Sequence, residues 1–281
     1  MPSPQAILKT YGLQPKKSWG QHFLADPHAL ARVVRDCALC ENDALVVEIG
    51  AGTGALTERL VAPGRTVLAV EHDRELAAVL RDRFRDEPSV EIVEQDFLAF
   101  DLAAAAERAG GRIKVVGNIP YQITAPILFK LVAARAGVVS AHLLMQAEVA
   151  RRLAAPVGAK DYSLLTVLLG RVGHATLGAR LSPACFHPPP DVESRVAVVA
   201  FDKTPPAVPS DEFFVNFVKA CFHQRRKRVV NSLRGQPHLA LPKPLVAALA
   251  ERFPELLARR AEALNGDEFL SLAAFAETWR G

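Results

Sequence analysis

Val46-Val47-Glu48-Ile49-Gly50-Ala51-Gly52-Thr53-Gly54-Ala55-Leu56-Thr57 is an apolar run that breaks into glycines and resumes as a helix-like stretch. A short apolar run closed by glycine reads as a buried strand. Glycines let the backbone turn sharply and approach a ligand closely, and a helix start behind them offers free N–H groups. The stretch is therefore a cradle for a nucleotide or nucleoside. Read as Gly-Xaa-Gly-Xaa-Xaa-Ala from Gly50 to Ala55, it also fits the dinucleotide fingerprint, and the acid expected about 20 positions later is present as Glu71. The glycines alone leave the cofactor open.

Outward from the cradle, three more apolar runs end on chemistry. Thr66 to Val70 delivers Glu71, whose carboxylate at a strand end would accept both hydroxyls of a ribose. Val90 to Val93 leads to Gln95-Asp96-Phe97, where Asp96 can bond an adenine amino group and Phe97 can lie against a ring. Ile113 to Val116 delivers Asn118-Ile119-Pro120-Tyr121. A carboxamide oxygen accepts from an exocyclic amine, Pro120 restricts the turn, and Tyr121 offers a stacking face. Together they suit an adenine held still while its N6 is modified. Open α/β sheets bind ligands outside the carboxyl ends of their strands, so the four ends converge on one crevice.

Strand-like segments near 45–49, 66–70, 90–93 and 113–116 alternate with helical stretches, which specifies a doubly wound parallel sheet. Asp26 to Cys37 reads as a helix with Pro27 at its first position. Further strands are expected at 140–145, around 167–177 and at 195–201, the last two antiparallel. Lys203 to Pro209 reads as a proline-rich linker. Beyond it the pattern is helical, with Ser210 and Asp211 as caps and with Phe213, Phe214, Phe217 and Val218 as core. The expected domains are 1–203, including an N-terminal arm over 1–25, and a helical 204–281.

The chain has 281 residues, half of them hydrophobic, which is enough for one large core and a smaller second one. Net charge is +4, but the cations cluster at Lys16-Lys17, Arg151-Arg152 and Arg225-Arg226-Lys227-Arg228, which favours a polyanion partner. No run reaches the roughly 18 apolar residues that span a bilayer, so a cytoplasmic protein is expected, with no membrane partner. Cys37, Cys40, Cys185 and Cys221 are too few and too scattered for a disulfide framework. The eight histidines are dispersed as well, so nothing supports a metal.

These residues resemble the class I S-adenosylmethionine-dependent methyltransferases, and within them the ribosomal RNA adenine N6-dimethyltransferases. The resemblance rests on Lys17 to Leu24, Glu48 to Thr57, Asn118 to Tyr121, Gln146 to Ala150, Phe186 to Ser194 and the segment Phe222 to Leu233, and it runs from about Tyr11 to the C-terminus. The C-terminal segment is similar to the small-subunit branch rather than to the erythromycin-resistance relatives. Where many members carry Asn in the N-terminal motif, this chain has His22.

The resemblance implies a Rossmann-like, mostly parallel seven-stranded sheet with a small all-helical C-terminal domain. It implies S-adenosylmethionine held by His22, Leu24, Glu48, Gly50, Gly52, Glu71, Asp96, Phe97 and Asn118, without a metal. Asn118, Pro120 and Tyr121 would handle the base, with Phe186 closing its other face. Lys16, Lys17, Arg225, Arg226, Lys227 and Arg228 would meet the RNA. The implied substrate is two adjacent adenosines in the 3′-terminal hairpin loop of 16S ribosomal RNA within a 30S precursor, and the implied enzyme is a monomer. Two other classes stay open on the residues: a dinucleotide-dependent dehydrogenase, and a noncatalytic ribosome-assembly factor on the same fold.

Overall fold

The computed structural model describes residues 2–16, 19–204, 210–234 and 241–279. The chain divides into two compact units, 1–150 with 174–202, and 151–173 with 203–281. The division near 203 is where the linker was expected, whereas the second unit also takes in 151–173, which the sequence reading had left with the first. Linker positions 205–209 lie outside the described residues.

In the first unit, α1 (Pro4–Thr10), β1 (Phe23–Leu24) and α2 (Pro27–Asp36) precede the alternation of β2 (Leu45–Ile49), α3 (Thr57–Leu60), β3 (Thr66–Glu71), α4 (Arg74–Arg83), β4 (Val90–Glu94), α5 (Leu102–Arg108), β5 (Ile113–Asn118), α6 (Thr124–Ala133) and β6 (Val138–Gln146). α7 (Ala147–Leu153) carries the chain across the division, and α8 (Leu164–Val172) lies in the second unit. The chain then returns as β7 (His174–Leu181), β8 (Phe186–His187) and β9 (Ser194–Ala200).

The sheet has seven strands in the order β4-β3-β2-β5-β6-β9-β7. The pairings from β4 through β6 are parallel, whereas β6 with β9 and β9 with β7 are antiparallel. Every residue of β2 is buried, which is why Leu45 to Ile49 reads as an unbroken apolar run rather than an alternating one. α2 starts where Asp26 accepts from the amides of His28 and Ala29 at 2.7 and 2.9 Å, and it buries Ala29, Leu30 and Val33. β1 and β8 form a separate two-stranded ribbon, pairing Phe23 with His187 and Leu24 with Phe186.

One expected strand is corrected. Residues 164–172 are helical, and β7 begins only at His174. Ser163 and Thr166 cap each other's backbone at the start of α8, and its consecutive buried Val167, Leu168 and Leu169 hide the helical period. The helix behind the glycines also differs from expectation, since the loop continues in turns to Leu56 and α3 is a single turn.

The described part of the second unit from Ser210 onward is helical, with α9 (Asp211–Phe222), α10 (Val229–Arg234), α11 (Lys243–Arg252), α12 (Pro254–Ala258) and α13 (Gly266–Thr278). Ser210 caps α9 by accepting from Phe213 N at 3.1 Å, and Phe213, Phe214, Phe217 and Val218 are buried as expected. The basic run 225–228 occupies the turn between α9 and α10, not a helix face. Among the described residues, no helix is long and apolar enough to cross a membrane.

Gly117 stands beside Ile49 in the β2–β5 pairing, and a Cβ there would come within 2.7 Å of the Ile49 carbonyl oxygen and 2.9 Å of its Cβ. Gly117→Ala should therefore force the two central strands apart and destabilise the protein by about 1–3 kcal/mol. A urea midpoint indistinguishable from that of the unsubstituted protein would refute this.

Candidate active site

The parallel register brings the strand ends level. Ile49 pairs with Val70 on one side and with Gly117 on the other, so Gly50, Glu71 and Asn118 leave the sheet together. Above them lies a cavity of about 360 Å³, lined by Glu48, Gly52, Glu71, Asp96, Asn118 and Tyr121 among others. That size is typical of small-molecule sites.

Gly50, Gly52 and Gly54 have φ of +64°, +59° and +82°, a region that side-chain-bearing residues rarely enter. A Cβ at Gly52 would also lie 3.1 Å from the Phe23 ring. The Gly52 N–H donates to Glu71 Oε2 at 2.8 Å, and Asp73 N donates to Oε1 at 2.8 Å. The loop amide thus orients an acid instead of pointing at a ligand, and each Glu71 oxygen keeps a lone pair for the hydroxyls expected there. Burial raises the Glu71 pKa, and the two amides oppose the shift.

Glu48 is 2% exposed, and its Oε2 has no hydrogen-bond partner. Burial pushes its carboxyl up to about 8, with adjacent Thr57 acting against the shift and the Glu71 charge adding to it. A buried, unpartnered carboxyl oxygen on a cavity wall is suited to a cationic or N–H-bearing ligand group. Asp96 is exposed at the rim, with Oδ1 accepting from Leu98 N at 2.8 Å. Phe97 is buried, stacks on Phe100 at 6.4 Å between centroids, and still lines the cavity.

At the other end, Asn118 Nδ2 donates to the His22 carbonyl at 2.7 Å, which leaves Oδ1 as the acceptor. The Tyr121 hydroxyl shares a 2.8 Å hydrogen bond with Ser194, which is 1% exposed, and its ring stacks on His22 with centroids 5.8 Å apart at 25°. His22 Nδ1 lies 2.8 Å from Pro188 O. Leu24 lines the cavity from β1, and Pro120 lines it beside Tyr121.

Three expectations meet a different geometry. Phe186 is 4% exposed, packs in the core with Leu24, Leu30 and Val33, and is absent from the cavity wall, because its pairing with Leu24 in the β1–β8 ribbon faces it inward. Lys16 is held by Asp73 and Glu75, with Nζ to carboxylate distances of 2.8 and 2.7 Å, so its charge is already partnered. Arg225 donates to the carbonyls of Lys160 and Tyr162 at 2.7 and 2.9 Å, which makes it a brace within the second unit. Arg226, Lys227 and Arg228 are exposed, and Lys17 lies outside the described residues.

Residues 12–246 match the family model described as ribosomal RNA adenine dimethylase. The chain belongs to this family. An adenine dimethylase transfers methyl groups, so the dehydrogenase reading falls away. Relatives named ribosomal RNA small subunit methyltransferase A include one from Anaeromyxobacter dehalogenans, 42% identical with 96% of each chain covered, and one from Myxococcus xanthus, 42% identical with 97% of this chain and 94% of the relative covered. Among solved structures, a dimethyladenosine transferase from Plasmodium falciparum superposes with a TM-score of 0.71 at 25% identity, covering 89% of this chain and 96% of that one. The 23S rRNA methyltransferase ErmE gives 0.65 at 25% identity, covering 91% and 99%. The fold is that of the class I methyltransferases, as the resemblance implied.

Sequence reasoning missed two supports of this adenine dimethylase site. Ser194 lies at the end of the Phe186 to Ser194 motif and Asp73 directly before α4, and neither position signals in the sequence a contact with the site.

The Glu48 carboxyl sets a pH signature. An unfolded Glu titrates near 4.5, whereas the folded one titrates near 8, so between those values the folded protein keeps a proton that the unfolded chain gives up. Stability should fall as pH rises through that window and then level off. Glu48→Gln should remove this component, gaining on the unsubstituted protein as pH rises from 4.5 to 8. Denaturation curves whose difference does not vary with pH would exclude the buried neutral carboxyl.

Proposed function

We propose that this adenine dimethylase uses S-adenosylmethionine to dimethylate N6 of two adjacent adenosines in the 3′-terminal hairpin loop of 16S ribosomal RNA, acting in the cytoplasm as a monomer on a 30S precursor. The observation that carries the reading is the Asn118 carboxamide. Its nitrogen is engaged by the His22 carbonyl, so its oxygen meets the amine of a base resting on Tyr121. The small-subunit names of the 42% identical relatives favour 16S over the 23S RNA of the more distant ErmE.

The cavity residues suit the cofactor. Gly50 and Gly52 leave room for close approach, Glu71 offers lone pairs to a ribose, Asp96 stands at the rim for an adenine amine, and the orphaned Glu48 oxygen awaits a donor or cation. When bound, S-adenosylmethionine supplies an electrophilic methyl group on a positively charged sulfur.

The remaining work falls to the protein. The N6 lone pair of adenine is delocalised into the ring, which makes the amine a poor nucleophile. A hydrogen bond from N6–H to Asn118 Oδ1 favours a pyramidal nitrogen and frees that lone pair. Tyr121 fixes the plane of the base, and stacking of this kind is worth roughly 1–3 kcal/mol. Holding the reacting atoms in line can remove several kcal/mol more of the barrier. The proton shed by the alkylated amine passes to water. An N6-methyladenine keeps one N–H for Asn118, so a second round fits the same site. A paired adenine has N6 engaged in the duplex, so an unpaired loop is the substrate.

Mass spectrometry of RNA from undermethylated 30S particles, after incubation with the protein and S-adenosylmethionine, should reveal adjacent N6,N6-dimethyladenosines. Asn118→Ala should lower the rate by about 10²-fold or more, as loss of one preorganised polar group does elsewhere, while cofactor affinity measured by dialysis stays nearly unchanged. A variant as active as the parent would overturn the role of Asn118.

A further inference from the structure

Residues 19–24 form an arm that borders the cavity, with Lys16 ahead of it in the chain, and the arm is fastened at both ends. At its far end Phe23 and Leu24 are paired into the β1–β8 ribbon, and the His22 carbonyl receives Asn118. At its near end the fastening is Asp73, the residue that caps α4. The Asp73 side chain is 3% exposed and gathers three donors, one of which approaches both of its oxygens. Oδ1 accepts from Glu75 N at 3.1 Å and from Lys16 Nζ at 2.9 Å, while Oδ2 accepts from Gln21 Nε2 at 3.1 Å and lies 2.8 Å from Lys16 Nζ. Gln21 Oε1 in turn accepts from Lys16 N at 2.8 Å, which closes a ring of bonds between arm and helix. Burial alone would raise the Asp73 carboxyl, but Lys16, Gln21 and the Glu75 amide outweigh it and hold the group below its ordinary value.

A helix cap needs one accepting oxygen, and Asp73 offers that with Oδ1 towards Glu75 N. Oδ2, the Lys16 ion pair and the Gln21 bond go beyond capping and all lead to the arm. The backbone of the same residue donates to Glu71 Oε1, so one residue touches both the acid of the cradle and the arm that orients Asn118. Trp19, on the arm between the two fastenings, lies over His72 with centroids 5.3 Å apart and has Lys16 Nζ 4.9 Å from its ring centre.

We propose that Asp73 is a positioning residue for the methyl transfer. Through Lys16 and Gln21 it latches the arm of residues 19–24, and the latched arm holds the His22 carbonyl where it turns Asn118 Oδ1 to the target amine. This assignment rests on the adenine-dimethylation reading above. It divides the two ends of the site, because side-chain changes at Asp73 or Lys16 leave the Asp73 amide to Glu71 in place. Such changes should therefore slow turnover while the Glu71 end of the cavity stays intact.

Trp19 makes the arm observable apart from activity. Trp19 and Trp279 are the two tryptophans, so Trp279→Phe leaves Trp19 as the sole indole. In that background, Lys16→Met removes the ion pair without touching the cap, and Asp73→Asn removes the charge while keeping an accepting oxygen for it. Each should shift Trp19 emission to the red and raise its quenching by acrylamide. Each should lower kcat by about tenfold or more, since misplacement by about 1 Å can cost 10²-fold. The double variant should be little worse than either single one, as expected of partners in one interaction. Unchanged Trp19 emission and kcat in Lys16→Met, or fully additive losses in the double variant, would overturn the latch. If the unsubstituted protein methylates no RNA at all, the dimethylation reading fails, whereas the latch is still decided by the emission of Trp19.

Discussion

β2 is hydrogen-bonded in parallel to β3 on one side and to β5 on the other, with Ile49 level with Val70 and with Gly117. Parallel strands end in the same direction, so this double pairing brings the glycine turn, Glu71 and Asn118 to one edge although they are far apart in the chain. β3 extends the arrangement to β4, where Glu71 stands opposite Glu94 and the chain goes on to Asp96. A slip of one residue in either pairing would turn Glu71 or Asn118 to the opposite face of the sheet. The absence of a side chain at Gly117 permits the close approach of β5 to Ile49, and so the register that delivers Asn118 depends on a residue with no chemistry of its own.

The two buried acids beside the cradle show how the same cause produces different groups. Burial raises the pKa of both Glu48 and Glu71. Glu71 receives amide hydrogens from Gly52 and Asp73, which favour its charged form, while Glu48 keeps an oxygen without a partner. The first is a completed structural acceptor with lone pairs to spare. The second is an incomplete site, and a buried polar atom left unsatisfied in the free protein is stabilised by whatever ligand group satisfies it. The asymmetry marks the Glu48 wall as the one where a ligand donor would gain most.

Much of this was legible in the sequence because it is local. The strands ending at Ile49, Glu71, Glu94 and Asn118 announce themselves as apolar runs closed by glycine or by polar residues, and the caps at Asp26 and Ser210 sit directly before their helices. What escaped was set by partners distant in the chain or by symmetric burial. Residues 166–169 are four consecutive buried positions, so no periodicity separates helix from strand, and their place in the second unit depends on packing that a linear reading cannot contain. Lys16 looked like a phosphate contact until Asp73, 57 residues on, claimed its charge. Phe186 looked like a base-stacking ring, but a two-residue ribbon with β1 turns it into the core.

In the proposed reaction the tetrapeptide Asn118 to Tyr121 handles the base, yet the side chains of Asn118 and Tyr121 are each positioned from elsewhere. His22 fixes the amide of Asn118 and covers the ring of Tyr121, while Ser194 holds the Tyr121 hydroxyl. An amide free to rotate would present its NH₂ to the adenine amine part of the time, donor against donor. A tyrosine free to change rotamer would lose conformational entropy each time a base docked. Supporting bonds formed before the RNA arrives remove both losses from the binding step and from the reaction. The four residues are therefore sufficient to suggest the chemistry and insufficient to perform it, since their competence is built by the N-terminal arm and by the first residue of β9.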